Sequence, residues 1–484
     1  MLHIYWFRKD LRLTDNFALS EFIKNVSEND KFLFLYIKNS NTYNYFGGKR
    51  IGFLYETLSG LEEELKSLNL HLKIIEGKSK EVFEKLISEY DNISVYCNMQ
   101  IEPYCIGRDK ETDELLRKTG NNFYAYSDTT IFEPGEILNG DGNQYKVYTP
   151  FKNQCLKNLK EYHYKKIEST PDKLDPANEE QLKNFNETDI EEEIIKIQRS
   201  DLIKGGRKEG LKLLKDFYES GLEEYKSKRD YPSVKGTSLI SAHLHFGTIG
   251  IREAFRTGFI KLSKVKDENV KTEVMTWINE LLWREFYYNI TFHNPRIMFE
   301  SFKIEYDNIN WINDEENFDK WCKGMTGYPI VDAGMRQLNT EGWMHNRVRM
   351  ITAMFLTKDL LTDWRWGEKY FAEHLIDLDF SSNNGGWQWS ASTGVDAQPY
   401  FRIFNPYLQS KKFDPEGIYI KRYLPELSSL PVEFIHEPNQ MSQEQQENFG
   451  VIIGKDYPEP VVEHFSVKNE VIKRFKEVTE SAKN

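Results

Sequence analysis

The residues best suited to chemistry lie in the second half of the chain, where acidic, basic and aromatic side chains recur at helical spacing. In the stretch TWINELLWREFYYNI, Trp277, Glu280 and Arg284 are three or four residues apart, so a helix places them on one face. An acid and a guanidinium among aromatic rings are costly to desolvate unless both have partners. The stretch therefore predicts either a Glu–Arg pair between packed helices or one wall of a ligand cavity, with Trp283 beside it.

A second stretch, GWMHNRVRMITAMFLTKDLL, is an apolar helical pattern interrupted by polar side chains. Asn346, Arg349 and Met350 fall on one face of the predicted helix. His345 and Arg347 add two more polar groups to the same stretch. A lone histidine here would more often be structural than catalytic, but the whole cluster favours a functional site.

A third stretch, LIDLDFSSNNGGWQWSASTG, places Asp377 and Asp379 between apolar residues, ahead of Asn383. The Asn383 amide offers both a donor and an acceptor to a ring nitrogen or carbonyl. The adjacent glycines Gly385 and Gly386 let a flat ligand approach the backbone closely. The same NNGG run is also a common turn signal, so a turn and a ligand-binding segment are both open interpretations.

A fourth stretch, KGTSLISAHLHFG, begins an apolar helical run with hydroxyl groups at Thr237, Ser238 and Ser241. Hydroxyls and free amides at the start of a helix suit a phosphate group. Ordinary helix capping by Thr237 or Ser238 explains the pattern equally well.

Tryptophan is concentrated in the same part of the chain, since nine of the ten lie between Trp277 and Trp389. A large aromatic core accounts for most of them. Their concentration nevertheless indicates flat rings that stack on planar ligands or carry electrons.

The rest of the sequence indicates which elements position these stretches. Residues 1–130 alternate strand-like and helix-like patterns, which predicts an α/β domain with a doubly wound, mostly parallel sheet, although no GxGxxG follows the first strand. Residues 131–204 read as an inter-domain linker, 205–475 as a mainly α-helical domain, and 476–484 as a short tail. The predicted strands are Leu2–Phe7, Phe32–Ile37, His71–Ile75, Ser94–Cys97 and Phe123–Tyr126.

The composition limits the classes of function. No apolar run approaches the ~20 residues that cross a bilayer, and the four cysteines fit neither a zinc site nor a disulfide framework. We therefore expect no metal, no membrane partner and a cytoplasmic location. The 64 Lys and Arg residues against 76 Asp and Glu give a net charge of −12, which argues against a nucleic-acid partner unless a local basic groove exists.

Taken together, the motifs resemble the photolyase–cryptochrome family, and most of all the bacterial class I cyclobutane-dimer photolyases. The resemblance covers nearly the whole chain and implies light-driven repair of cyclobutane pyrimidine dimers in DNA with FAD. The segments that carry it are WFRKDLRLTDN, KVYTPFKN, GTSLIS, WINELLWREFY, TGYPIVDAGMRQL, GWMHNRVRMI, DWRWGE, NNGGWQWSASTG and PYFRIFNP.

The resemblance implies that FAD binds in the helical domain. Arg349 would pair with Asp377, and Asn383 would face the central flavin nitrogen, where an amide cannot readily deliver a proton. Plant cryptochromes usually carry aspartate at that place, so the asparagine implies a flavin kept reduced for repair. The implied FAD-binding residues are Tyr225, Thr237, Ser238, Leu239, Ile240, Ser241, Trp277, Arg284, Arg349, Asp377, Asp379 and Asn383.

The resemblance also implies that the dimer is flipped out of the duplex, as in other enzymes that act on bases. Glu280 and Asn346 would hydrogen-bond its carbonyl and imide edges, and a protonated Glu280 would best stabilise negative charge on the dimer. Trp283 and Trp389 would pack on it. The implied catalytic residues are Glu280, Asn346, Met350, which lines the cavity, and Asn383. The implied DNA contacts are Arg229, Glu280, Trp283, Arg284, Asn346, Arg347, Trp389, Arg402 and Gln409.

Two further expectations concern electrons and light. Trp387, Trp364 and Trp311 match the family's tryptophan relay, which carries electrons from the surface to oxidised flavin. A folate antenna in class I enzymes usually meets a glutamate in the segment matching EPYCIGRD, where this chain has Cys105. We therefore expect a deazaflavin or flavin nucleotide in the α/β domain rather than methenyltetrahydrofolate, with an empty site as a third possibility. The family expectation is a monomer.

Three rival functions are open. A (6-4) photolyase usually carries two histidines in the segment matching GWMHNRVRM, where this chain has only His345. A cryptochrome-type flavin photoreceptor often has a long disordered C-terminal tail, whereas this sequence ends soon after a helical pattern at Val467–Val478. A flavin redox protein without DNA is disfavoured by the presence of both Glu280 and Asn346.

Overall fold

The computed structural model describes residues 1–39, 47–183 and 185–481. Within these residues the amino-terminal part forms a five-stranded parallel sheet in the order β3-β2-β1-β4-β5, which confirms the predicted α/β class. The strands are β1 Leu2–Phe7, β2 Lys31–Lys38, β3 Leu72–Glu76, β4 Ile93–Asn98 and β5 Asn122–Tyr126. The helices between them are α1 Phe17–Asn25, α2 Gly48–Lys66, α3 Ser79–Glu89 and α4 Pro103–Lys118.

The central strand β1 determines the order of the sheet. All six of its residues are buried, as expected for a parallel strand covered by helices on both faces. Leu2 aligns with Lys31 of β2 on one side and with Ile93 of β4 on the other. The order of the strands therefore reverses at β1, as in doubly wound sheets.

The rest of the chain is mainly helical, as predicted, and two segments, Phe217–Gly221 and Phe355–Asp359, form π-helical turns. The first helices after β5 are α5 Tyr148–Asn158, α6 Ile190–Ile194, α7 Arg207–Asp216, α8 Tyr225–Lys228, α9 Ser241–Phe246, α10 Ile251–Lys264 and α11 Glu268–His293. They are followed by α12 Glu315–Lys323, α13 Pro329–Glu341, α14 Asn346–Met354, α15 Trp364–His374 and α16 Phe380–Ala391. The last are α17 Pro406–Phe413, α18 Ile418–Tyr423, α19 Val432–Ile435, α20 Gln443–Phe449 and α21 His464–Ser481.

The chain divides into two compact units, here called the first and the second unit. The first comprises residues 1–223 and 238–295, and the second comprises residues 224–237 and 296–484. Apolar side chains of the sheet and its helices form a core in the first unit, and an aromatic-rich core that includes Trp321, Trp364 and Trp387 forms in the second. The domain limits at 130 and 204 come from composition rather than contacts, and they stay a prediction.

The segment predicted as linker contains two helices, α5 and α6. Asp189 caps α6 by accepting a hydrogen bond from the backbone N of Glu191 at 2.8 Å, and the acidic first turn of this helix suits its positive end. At the other end of the chain, α21 extends through most of the predicted tail, and residues 482–484 lie outside the described residues. Among the described helices, none combines the length and the apolarity that crossing a bilayer requires.

Candidate functional site

Helix α16 in the second unit carries several predicted site residues. Asp379 caps it by accepting a hydrogen bond from the backbone N of Ser382 at 2.8 Å, which satisfies one amide of the first turn. The run Asn383–Gly386 lies inside the helix, so the interpretation of NNGG as a turn is wrong. Tertiary packing outweighs the local turn preference of these residues. Asn383 and Trp387, one turn apart, therefore share a face of α16.

The predicted pair of Arg349 and Asp377 is present in the second unit. Arg349 Nη2 lies 3.0 and 2.8 Å from the two carboxylate oxygens of Asp377, and Arg349 Nε donates to the backbone O of Met344 at 2.7 Å. The Asp377 side chain is 3% exposed and that of Arg349 is 25% exposed. Because a buried carboxylate needs a hydrogen-bonded partner, this pair holds the segment before α16 against α14.

Glu368 fixes the orientation of Asn383, and no pattern in the sequence singles this glutamate out. The Nδ2 amide of Asn383 donates to the backbone O of Glu368 at 3.2 Å and to its Oε1 at 3.0 Å. Among the described residues, no donor reaches Asn383 Oδ1, so this oxygen is the atom that can accept from a ligand. Burial raises the pKa of the Glu368 carboxyl to about 7, against the opposing hydrogen bond from Asn383.

Replacing Glu368 with glutamine is expected to stabilise the protein at neutral and alkaline pH. Because folding raises the pKa of this carboxyl from 4.5 to about 7, the folded state binds more protons in that window, and wild-type stability falls as pH rises through it. The amide has no such dependence, so the advantage of Glu368→Gln grows from zero below pH ~4.5 to about 2–3 kcal/mol above pH ~7.

Thermal unfolding of both proteins between pH 4.5 and 8 measures this effect. Glu373→Gln, on the same helix but facing solvent, is the matched control and should shift the melting temperature little at any pH. A gain that is equal at all pH values would contradict the assignment of the raised pKa to Glu368.

The three tryptophans of the predicted relay all lie in the second unit. Trp364 and Trp387 are 1% and 2% exposed, whereas Trp311 is half-buried and packs its edge on Phe475 with ring centroids 6.3 Å apart. Trp387 is held so closely that a Cβ atom on Gly367 would lie 2.1 Å from its Cη2. Two buried rings and one that reaches the surface suit electron transfer to an interior acceptor, and the relay itself stays a prediction.

Helix α14 begins later than the sequence pattern predicts. His345 lies outside it as the N-cap, and its Nδ1 accepts from the backbone N of Arg347 at 3.2 Å. The first helical residue, Asn346, is exposed, and its Nδ2 lies 3.9 Å from Sδ of Met350. The structure thus brings together two of the predicted lesion contacts at the start of α14.

Two of the predicted DNA contacts share one carboxylate in the second unit. Arg347 Nη2 donates to Oδ1 of Asp230 at 2.8 Å, and Arg229 Nε lies 3.9 Å from the same oxygen. The Arg347 guanidinium also lies 4.2 Å from the ring centroid of Phe413. These contacts hold two guanidinium groups close together, as a phosphate-binding surface requires.

The remaining predicted residues of the second unit differ in exposure. Arg402 is exposed and lies 3.3 Å from Oε1 of Gln398, whereas Gln409 and Trp389 are half-buried. Exposed or half-buried side chains can meet a large ligand without unfolding the core. Tyr225 is buried.

In the first unit, helix α11 carries Trp277, Glu280, Trp283 and Arg284. Trp277 is buried, and the other three are half-buried. The guanidinium of Arg284 donates to the backbone O of Thr129 at 2.7 Å and also bonds to a nearby tyrosine hydroxyl. These partners anchor Arg284 within the first unit, and its assignment to FAD and DNA stays a prediction.

The hydroxyl-rich segment before α9 is not a helix cap. Helix α9 begins at Ser241, and its N-cap is Ile240, which makes no side-chain capping bond. The alternative in which Thr237 or Ser238 caps the helix is therefore wrong. Leu239 has φ +54°, which is unfavourable for a residue with a branched side chain and often marks a functional segment. Only Ser241 of the three hydroxyl residues lies in the helix, and the phosphate contact of residues 237–241 stays a prediction.

Two buried acids outside the predicted set stabilise motifs that the sequence singled out. Asp332, in TGYPIVDAGMRQL, accepts from the backbone N and the Oγ1 of Thr326, both at 2.7 Å, and from Tyr457 Oη at 2.5 Å. Glu285, in the first unit, accepts from the backbone N of Phe132 at 2.9 Å, and burial raises its pKa to about 7. Asp332 joins the nearby turn at Thr326 to the distant Tyr457 hydroxyl, and Glu285 holds a backbone segment that is distant in sequence, so their roles are structural.

Comparisons with known proteins match both the amino-terminal and the carboxy-terminal part of the chain. The family model described as DNA photolyase matches residues 3–173, and the model described as the FAD binding domain of DNA photolyase matches residues 277–477. The deoxyribodipyrimidine photo-lyase of Alkalihalophilus pseudofirmus is 37% identical over 98% of this chain and 98% of its own length. A bacterial class III photolyase from Agrobacterium tumefaciens superposes with a TM-score of 0.89 at 33% identity, over 99% of this chain and 98% of its own. An archaeal photolyase from Sulfolobus tokodaii with two FAD molecules superposes with a TM-score of 0.82 at 32% identity, over 99% of this chain and 100% of its own.

The fold and the sequence likeness define a flavoprotein of the photolyase–cryptochrome class. The chain belongs to the DNA photolyase family, and FAD is its cofactor. The second unit fits a flavin: Asn383 offers an oriented acceptor, and the Arg349–Asp377 pair, which holds the segment before the same helix α16, offers a charged donor. Several buried polar atoms among the described residues of this unit also lack a protein partner, and Ser381 Oγ and Trp364 Nε1 are among them.

Proposed function

We propose that this protein repairs cyclobutane pyrimidine dimers in DNA in a reaction driven by light. The observation that carries the proposal is likeness over the whole length to deoxyribodipyrimidine photo-lyases, including both halves of the photolyase architecture. Asn383 supports repair rather than signalling, because an amide held by Glu368 cannot readily release a proton.

The chain's own residues bind and orient the lesion. When bound, FAD in its reduced form supplies the light-excited electron that opens the cyclobutane ring and receives it back. Glu280 and Asn346 bind the pyrimidine edges, and a hydrogen bond donated by the Asn346 amide stabilises negative charge on the dimer where it develops. Trp283 and Trp389 stack on the extruded bases, which replaces part of the stacking lost on flipping.

Phosphate contacts supply the affinity for DNA despite the net charge of −12. Arg347→Gln is expected to weaken binding to dimer-containing and undamaged duplexes alike and to reduce the slope of log K against log salt by about one. The physical reason is that one fewer phosphate charge is neutralised. Fluorescence anisotropy at about 50–300 mM salt, a roughly six-fold range of ionic strength, measures the slope.

A second arginine of the same unit provides the matched control for Arg347. Arg336 also pairs with a carboxylate, at 2.7 Å from Glu426, but no motif assigns it to DNA. Arg336→Gln should leave the slope unchanged. Equal slopes for wild type and Arg347→Gln would remove Arg347 from the DNA contacts.

The decisive experiment is repair of an oligonucleotide with one defined thymine dimer by the reduced holoprotein, under blue light and in the dark. Restored thymines in the light sample alone support the proposal. Persistent dimers together with normal photoreduction of the bound flavin would favour a cryptochrome-type photoreceptor instead.

A second chromophore of the deazaflavin or flavin-nucleotide type is the further part of this proposal. The first unit has a cavity of about 840 Å³ at the N-terminal ends of α3 and α4, a volume in the usual range for ligand sites. Its lining includes three cationic side chains and one aromatic ring, Lys78, Lys80, Arg108 and Tyr104. The Sulfolobus relative that carries two FAD molecules supports a flavin there. The absorption spectrum of the protein purified from its native source tests this.

The proposal also includes a monomer that acts in the cytoplasm. The four cysteines, all among the described residues, are free and buried, which suits a reducing compartment. Sedimentation of the holoprotein with and without dimer-containing DNA tests the oligomeric state.

A further inference from the structure

In the first unit, one face of the Trp283 indole is covered by a tyrosine that no motif assigns to the site. The rings of Tyr148 and Trp283 are stacked with centroids 3.6 Å apart and planes within 10° of parallel. Trp283 is half-buried, whereas Tyr148 is only 7% exposed. The tyrosine therefore lies on the interior side of the pair and the tryptophan on the side nearer to solvent.

Tyr148 is fixed at both ends. It is the first residue of α5, and its Oη donates to the backbone O of Asn279 at 2.6 Å, one helical turn before Trp283 on α11. Phe286, also on α11, packs edge-on against both rings, with centroids 5.9 Å from Tyr148 and 5.7 Å from Trp283. This set of contacts holds the indole in one rotamer before any ligand arrives.

We infer that Tyr148 is a positioning residue for lesion recognition, acting through Trp283; the inference rests on the proposed function. A stacking platform binds a base more tightly when its ring is already immobile, because the entropy of ordering the side chain is lost on folding and not on binding. An extruded pyrimidine that packs on Trp283 continues a stack that Tyr148 begins. The chain thus presents a two-ring column rather than a single mobile indole.

The test compares binding in the dark to a duplex with one thymine dimer and to the same duplex undamaged. Tyr148→Leu should weaken dimer binding about 3- to 10-fold, the size of one aromatic pair, and should leave binding to undamaged duplex unchanged. The repair yield per photon at saturating DNA should stay near that of wild type, because Tyr148 does not touch the reacting atoms. Tyr148→Phe keeps the ring and should restore most of the affinity.

Tyr164→Leu is the matched control, since Tyr164 also stacks in the first unit, on Phe259 with centroids 5.5 Å apart and planes 11° from parallel. It should change neither affinity. In a Trp283→Leu background, Tyr148→Leu should have no further effect on dimer binding, because the two residues act as one unit.

Three results would overturn the inference: additive losses in the double variant, equal losses for damaged and undamaged DNA, or tighter dimer binding by Tyr148→Leu. A wild-type protein that does not bind or repair dimers at all would refute the proposed function instead, so the two failures are distinguishable.

Discussion

Asp377→Asn is expected to lower the free energy of unfolding by about 2–4 kcal/mol and to leave the purified protein without most of its FAD. The Asp377 carboxylate is almost fully buried and takes both hydrogen bonds from Arg349 Nη2. Asparagine keeps the shape but leaves the Arg349 charge without its partner in a poorly solvated place. Urea denaturation of protein stripped of FAD measures the first effect, and the ratio of flavin to protein absorbance measures the second.

A less buried ion pair and a double replacement separate these two effects of Asp377→Asn. Glu426→Gln breaks the more exposed pair with Arg336 and should cost less than about 1 kcal/mol. Replacing the buried pair by Arg349→Met with Asp377→Leu should recover much of the stability, because apolar groups need no partner, but not the FAD. Full flavin occupancy in Asp377→Asn would contradict a role in cofactor binding.

Trp311→Phe is expected to abolish photoreduction of oxidised flavin while repair by chemically reduced enzyme continues at the wild-type rate. Trp311 is the half-buried member of the three, and Trp364 and Trp387 are enclosed. Phenylalanine is much harder to oxidise than tryptophan, so the positive charge left by photoreduction would stay on the inner tryptophans. The electron would then return from the flavin before a reductant in solution could supply another. Flash photolysis of the oxidised holoprotein, followed by a repair assay after dithionite reduction, measures both activities.

Trp366→Phe is the control for that experiment. Trp366 lies on the same helix as Trp364 but packs on Phe318, with centroids 5.2 Å apart, and it is outside the predicted relay. The bound flavin of the Trp366→Phe variant should be photoreduced at the wild-type rate. Loss of both activities in Trp311→Phe would show that the substitution damages the fold or the flavin site.

The inner strands of the sheet could be predicted from sequence because each is a short apolar run that is largely buried, whereas the edge strand β5 is partly exposed. β1 was predicted at its observed limits, and the ends of the other strands differ by at most one residue. Such runs depend on local composition and need no knowledge of distant partners.

Residues whose roles depend on distant partners could not be predicted in this way. Glu368 reaches Asn383 from a neighbouring helix, and Tyr148 meets Trp283 from a helix inside the predicted linker. Neither contact leaves a periodic signal in the sequence. The turn predicted for the NNGG run was wrong for the opposite reason. Its local turn preference is strong, but the packing of α16 in the second unit overrides that preference.

The roles of the site residues follow from the resemblance more than from any one contact. The Arg349–Asp377 pair was expected and is present. The geometry adds two facts that motifs cannot supply: Asn383 has a fixed amide orientation, and Thr237 and Ser238 do not cap a helix.

Gly367 illustrates a compromise between helix propensity and side-chain packing. Alanine within a helix is ordinarily about 0.5–1 kcal/mol more stable than glycine, yet a methyl group at this position of α15 would overlap the Trp387 ring and the Leu356 side chain, at 2.1 and 2.6 Å. The helix therefore forgoes that gain so that the indole can lie directly against its backbone. Variants designed for higher thermal stability should keep this glycine, even though helix-propensity scales would rank it among the first positions to replace by alanine.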